Sequence, residues 1–243
     1  MGQLQVTILR RGLFVLELVC KSMDFHNKKF AVMIFVINYI PKFLLRVRCA
    51  SLRKLFKHKN TKRTKMSLEI ITGNMFSGKT SELIRRLKRY KVMGKRISVI
   101  NSMKDTRSND HVIHTHDDVD FNCIKVNQLA DTLLDENFCA SEVVAIDEAQ
   151  FFTRLKDFIH MCLFLKKTVI VAGLDADYKQ EKFGEILDCI PMSDDVTKLS
   201  ALCMRCKDGT SGPFTKRTVD TDEVELVGGP ELYEAVCRHH LLD

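Results

Sequence analysis

From residue 68 onward, apolar positions alternate between two rhythms. Leu68, Ile70 and Ile71, interleaved with Glu69 and followed by Thr72, form a short run that predicts a strand. Leu83, Ile84, Leu87 and Tyr90 then recur at helical spacing, with Gly94 as the stop. Residues 143–146 form a second apolar strand, Leu155, Phe158, Ile159, Cys162 and Leu163 a second helical stripe, and residues 168–172 a third strand. Strands alternating with helices predict an α/β fold, a mostly parallel sheet with helices on both faces.

The chain has 243 residues, 45% of them hydrophobic and 28% charged, which is enough to bury a core and form one or two domains. That balance excludes a collagen-like, low-complexity or wholly disordered polymer. The longest apolar stretch, residues 30–40, is 11 residues, short of the roughly 18 needed to cross a bilayer. A soluble protein without a membrane partner is expected.

Charge divides the chain unevenly. Residues 1–66 carry 15 Lys and Arg against Glu17 and Asp24, a net of +13, whereas the remainder has a net of −6. The overall +7 therefore describes the leader, and it gives no whole-protein argument for nucleic-acid binding. The leader reads three ways: an extension outside the working domain, an organelle-targeting segment poor in acids but also in serine, or a basic arm for nucleic acid or anionic lipid. Met66 directly precedes the first core strand and could itself be a start. The expected division is a leader over 1–66, a nucleotide-binding domain over 67–198 and a small lobe over 199–243. The expected location is cytoplasmic unless the leader directs the chain to an organelle.

Gly73-Asn74-Met75-Phe76-Ser77-Gly78-Lys79-Thr80 has the spacing G-x-x-x-x-G-K-[ST]. Such a loop wraps phosphate with backbone N–H groups. Its glycines allow close approach, the lysine reaches the β- and γ-phosphates, and the threonine hydroxyl can ligate Mg²⁺. The following helix points its positive end at the anion. The flanking strand and helix match the context this motif requires.

The strand over 143–146 ends in Asp147-Glu148. Acids at the carboxyl end of a buried strand face the ligand crevice of an α/β sheet. Asp147 suits the partner of Thr80 in holding Mg²⁺, and Glu148 could accept a proton from an attacking hydroxyl or water.

Nine cysteines without a convincing signal peptide fit intracellular thiols or a metal site better than a disulfide scaffold. Cys203-x-x-Cys206 and Cys237-x-x-His240 form two chelating pairs with residues 207–236 between them. They suit a tetrahedral structural Zn²⁺, although the gap exceeds that of common four-ligand ribbons and His239 could replace His240. Cys20, Cys49, Cys123, Cys139, Cys162 and Cys189 lack chelating spacing and are expected as small apolar fillers or exposed thiols.

Nine ordered motifs from Leu68 to the C-terminus resemble the type II (cellular and poxvirus-like) thymidine kinases. They are the glycine loop, Lys104-Asp-Thr-Arg107, Thr115-His-Asp117, Ile146-Asp-Glu-Ala-Gln-Phe-Phe152, Ala172-Gly-Leu-Asp175, Cys203-Met-Arg-Cys206, Phe214-Thr-Lys-Arg217, Val227-Gly-Gly229 and Tyr233-x-x-x-Cys237. The resemblance implies a RecA-like P-loop domain plus a small zinc-bearing lobe, and transfer of the ATP γ-phosphoryl to the 5′-hydroxyl of thymidine. It implies Glu148 as general base and Asp147 as the Mg²⁺-associated acid; Lys79 would hold the β- and γ-phosphates, and Arg107 is the candidate for steadying the transferred charge. Met75, Asp105, Arg107, Gln150, Phe151, Leu174 and Tyr178 fall where the family lines its nucleoside and phosphate pocket. Thr215 and the stretch 224–233, including Val224, Leu226, Gly228 and Tyr233, resemble the lasso loop over thymine. Cys203, Cys206, Cys237 and His240 fall at the family's zinc ligands. A homotetramer or dimer, and inhibition by the end product dTTP, are further implications. Three departures stand out: Asn74 where Pro is usual, Ala149 for a common Gly, and His240 for Cys.

Two other readings compete. Asp147-Glu148-Ala149-Gln150 also resembles the acidic box of helicase-like motor ATPases, yet only 164 residues follow Lys79, too few for a second motor lobe. A regulatory nucleotide-binding module without catalysis would not require the intact set Lys79, Thr80, Asp147 and Glu148.

Overall fold

The computed structural model describes residues 7–8, 14–15, 66–105, 112–113, 121–219 and 228–243. The expectations for Arg107, Val224, Leu226, the 115–117 motif and most of the leader lie outside these residues. Two units are distinguished, Met1–Val47 and Arg48–Asp243. In the first, β1 (Thr7–Ile8) pairs antiparallel with β2 (Phe14–Val15).

The second unit is built on a seven-stranded sheet. In chain order its elements are β3 (Leu68–Gly73), α1 (Lys79–Val92), β4 (Ile97–Ser102), β5 (Val112–Ile113), β6 (Phe121–Val126), α2 (Glu136–Ala140), β7 (Val143–Ile146), α3 (Leu155–Phe164), β8 (Thr168–Leu174) and β9 (Asp195–Leu199). The strand order is β5-β6-β4-β7-β8-β3-β9, and every pairing is parallel except β5 with β6. The central strands β7 and β8 read as continuous apolar runs because both of their faces are covered.

Helix α1 lays Leu83, Ile84 and Leu87 against Ile71, Val99, Cys123, Ala145 and Ile170, the side chains on one sheet face. The opposite-facing Ile70, Ile100, Val144, Ile146 and Val169 are equally buried, as are Leu155, Phe158, Ile159 and Cys162 of α3, which packs on β8. Gly94 (φ 69°) ends α1 in a Schellman arrangement: its N–H donates to Lys91 O (3.0 Å), and that of Lys95 donates to Tyr90 O (3.1 Å). Arg86 staples α1 to the sheet by donating to Glu82 on its own helix, to Glu69 of β3 and to Asp195 and Thr197 of β9.

This topology decides where chemistry can occur. The glycine loop leaves the carboxyl end of β3 and the acid pair leaves that of β7, with only β8 between them. Beyond β9 the chain builds the antiparallel pairs β10 (Ala201–Leu202) with β11 (Ser211–Gly212) and β12 (Phe214–Arg217) with β13 (Tyr233–Val236), then α4 (Arg238–Leu242). No helix of the described residues is long and apolar enough to cross a membrane.

Candidate active site

Gly73 turns β3 into the loop with φ 152°, and a Cβ there would lie 2.3 Å from Leu199 O and 2.9 Å from Ser77 Oγ. Only glycine fits this close approach. Phe76 (φ 63°) and Gly78 (φ 81°) are also left-handed, which curls the loop before Lys79 opens α1. Lys79 is 9% exposed; its Nζ donates to Asn74 O at 2.7 Å, and Ser77 Oγ donates to the same oxygen at 2.8 Å. The ammonium is thus held inside the loop it serves.

Thr80 and the acids meet across the carboxyl ends of the strands. Thr80 Oγ1 donates to Asp147 Oδ2 at 2.9 Å, and Asp147 Oδ1 accepts from the Glu148 N–H at 3.0 Å. Glu148 takes φ 49°, a left-handed conformation costing of order 1–3 kcal/mol in a non-glycine residue. The residue is 7% exposed, and its carboxylate accepts from Gln150 Nε2 at 2.6 Å, while Gln150 Oε1 accepts from Leu174 N at 3.0 Å. Gln150 therefore ties the acid at the end of β7 to the end of β8. A hydroxyl beside a carboxylate at a loop built for phosphate is a hard oxygen donor set, the kind Mg²⁺ takes.

Of the remaining sequence candidates, Asp105, Phe151, Leu174 and Tyr178 lie at or just after the carboxyl ends of β4, β7 and β8, whereas Thr215 and Tyr233 lie on β12 and β13. Asp105 is buried, with Oδ2 accepting from Asn101 Nδ2 (3.0 Å) and its carbonyl from Lys125 Nζ (3.2 Å). The Phe151 ring meets Phe183 edge-on at 5.8 Å, with Lys104 Nζ 5.7 Å from its centroid. Arg217 lies between two rings, 3.8 Å from the Tyr178 centroid and 5.4 Å from that of Tyr233, and donates to the Tyr233 hydroxyl at 2.9 Å. Thr215 Oγ1 accepts from Met75 N at 3.1 Å, so the loop touches β12. Gly228 packs on Leu232, where a Cβ would lie 2.3 Å from Leu232 Cδ1.

Cys203, Cys206, Cys237 and His240 converge, their ligand atoms all within 4.8 Å of one another. His240 Nδ1 lies 3.6, 3.4 and 3.4 Å from the three sulfurs in that order, and Cys206 and Cys237 sulfurs are 3.8 Å apart. A tetrahedron with standard Zn–S and Zn–N bonds has edges of about 3.8 Å (S···S) and about 3.6 Å (S···N), so the cluster fits Zn²⁺. The choice between histidines falls on His240, because His239 faces Asp243 instead. Against desolvation, backbone N–H groups of Cys206, Cys237 and Arg205 bring the Cys203 thiol down to about 6, whereas the hydrogen bond to Cys203 pushes Cys206 up to about 12. Of the other described cysteines, Cys123, Cys162 and Cys189 are buried and Cys139 is half-buried.

Sequence reasoning missed several supports. Asn101, at the end of β4, orients Asp105. Gly184 (φ 66°) and Gly173 make room for Gln150: a Cβ on Gly184 would lie 2.4 Å from Gln150 O, and one on Gly173 2.8 Å from Gln150 Oε1. Glycine at 173 stood within a recognised motif, but nothing local marked its contact with a residue of the β7 turn.

Strand, glycine loop, helix and an acid beside the loop's threonine define a P-loop nucleotide-binding domain. The sequence profile described as thymidine kinase matches residues 66–241. A rice thymidine kinase is 42% identical over 72% of this chain and 66% of its own length, and a sheeppox virus thymidine kinase is 38% identical over 70% and 94%. Thymidine kinase 1 of Dictyostelium discoideum is 38% identical over 70% of this chain and 75% of its own. The chain belongs to the thymidine kinase family. That membership sets aside the helicase-like motor.

Proposed function

We propose that the protein transfers the γ-phosphoryl of ATP to the 5′-hydroxyl of thymidine, giving dTMP for DNA synthesis. The observation that carries this reading is the Thr80–Asp147 hydrogen bond, which joins the phosphate loop to the acid pair of β7. Lys79 and the loop amides from Gly73 to Thr80 hold the β- and γ-phosphates, Lys79 exchanging its bond to Asn74 O for phosphate oxygens. Thr80 and Asp147 would hold Mg²⁺, which supplies charge neutralisation at the phosphates when bound. Glu148, positioned by its left-handed backbone and by Gln150, accepts the 5′-hydroxyl proton as that oxygen attacks phosphorus. Arg107 is assigned to the transferred charge. Met75, Asp105, Gln150, Phe151, Leu174, Tyr178, Thr215, Val224, Leu226, Gly228 and Tyr233 are assigned to the nucleoside pocket.

Cys203, Cys206, Cys237 and His240 would hold a structural Zn²⁺ that closes the lobe. Family membership supports a homotetramer or dimer inhibited by dTTP. A coupled assay over a panel of deoxynucleosides, with and without polynucleotide, tests the reaction. ADP release that requires thymidine is expected, and release independent of any nucleoside would overturn the reading.

A further inference from the structure

Asn74 occupies the second position of the phosphate loop, yet its side chain does not face the phosphate site. It is 3% exposed and reaches into the cysteine–histidine lobe. Its Nδ2 donates to Gly212 O at 2.9 Å and lies 3.5 Å from Phe214 O, while its Oδ1 accepts from Ala201 N at 3.2 Å. These partners are 127 to 140 residues away in the chain. Ala201 and Gly212 face each other in β10 and β11, the hairpin that presents Cys203 and closes with the Cys203 N–H donating to Thr210 O at 2.8 Å.

The same residue's carbonyl receives both Lys79 Nζ and Ser77 Oγ. One end of Asn74 thus grips the hairpin that carries two metal-binding thiols, and the other sets the lysine that meets phosphate. Gly73 packing on Leu199 O and Met75 N bonding Thr215 Oγ1 flank this link on either side. A buried carboxamide with both ends engaged transmits a displacement, because moving the hairpin leaves a donor or an acceptor unsatisfied.

We propose that Asn74 is a positioning residue that couples the ion-loaded state of the lobe to the affinity of the loop for nucleotide. Emptying the lobe frees β10 and β11, releases the carboxamide and loosens the carbonyl that organises Lys79. This rests on the zinc and ATP assignments above. The coupling is reciprocal, so nucleotide must tighten zinc by the factor by which zinc tightens nucleotide.

The test is a thermodynamic cycle on the full chain under reducing conditions. A fluorescent ADP analogue with Mg²⁺ is titrated against zinc-loaded and chelator-stripped protein, for the unaltered chain and for Asn74→Ala. Stripping is expected to weaken binding by about fivefold or more in the unaltered chain, in the range typical of coupled sites. Asn74→Ala should start weaker and change less than about twofold on stripping, whereas a merely structural role would leave the ratio intact. The reciprocal measurement needs no variant: zinc affinity of the unaltered chain, by competition with a chromophoric chelator, should rise by the same factor when the same ADP analogue and Mg²⁺ are saturating. Zinc and nucleotide that both bind but ignore one another would overturn the coupling and leave the functional reading standing. A chain that takes up no zinc, or no nucleotide, would overturn that reading and the coupling with it.

Discussion

Thr80 and Asp147, 67 residues apart in the chain, are joined by a hydroxyl-to-carboxylate hydrogen bond of 2.9 Å. The bond fixes the register between the phosphate loop and the strand end that carries the acids. Thr80→Val keeps the shape and removes the hydroxyl. The Mg²⁺ concentration for half-maximal activity should rise by about tenfold or more, with a similar rise in Asp147→Asn and a double variant less than additive, because the two groups act as a unit. Titration of initial rates with Mg²⁺ at saturating ATP checks this.

Glu148→Gln retains the size of the side chain but cannot take a proton. Its kcat should fall by about 10²–10⁴-fold while thymidine binding, read by calorimetry, stays within a few-fold. An unchanged kcat would remove Glu148 from the reaction.

Gly184 combines φ 66° with an approach to Gln150 O that leaves no room for a Cβ. Gly184→Ala should cost about 1–3 kcal/mol in stability. It should also lower kcat, because Gln150 orients the Glu148 carboxylate. Thermal unfolding and steady-state kinetics read the two effects separately.

Arg85, then Arg86, against a desolvation penalty, hold the Glu82 carboxyl at about 2, well below its ordinary 4.5. A depressed carboxylate stabilises the fold above its unfolded pKa and loses that contribution as pH falls through the folded one. Glu82→Gln should therefore lower stability by about 1 kcal/mol at pH 7, a value discounted for the solvent around the pair. The difference should shrink from pH 4.5 toward pH 2, as measured by urea unfolding across that range.

His240 completes the sulfur cluster, with Nδ1 3.4 Å from both Cys206 and Cys237. His240→Ala should lower zinc affinity by more than about tenfold and lower Tm, whereas His240→Cys should keep the ion, since thiolate serves the same tetrahedral site. Metal analysis of purified protein, beside melts with and without chelator, distinguishes the two.

Features whose partners are near in sequence were legible before the fold. The strand, loop and helix from Leu68 to Gly94 could be read because turn glycines, apolar spacing and phosphate chemistry coincide within one short segment. The run over 143–146 with its two acids could be read for the same reason. Both cysteine pairs were visible as chelating doublets, but only the fold chose between His239 and His240. Strand order was not legible, since periodicity says which faces are buried and nothing of neighbours. Edge strand β9 exposes Asp195, Val196 and Lys198, so burial left little pattern there. Asn74 is a mild departure within its own loop, and its side chain bonds backbone atoms more than 120 residues away.

The left-handed turn at Glu148 has a consequence for how the pocket meets its ligand. Because the left-handed main chain sets the direction of this side chain and Gln150 Nε2 holds its carboxylate at 2.6 Å, little rotational freedom remains to be lost when a sugar arrives. The conformational cost is met during folding, so each encounter starts with the carboxylate already held in place.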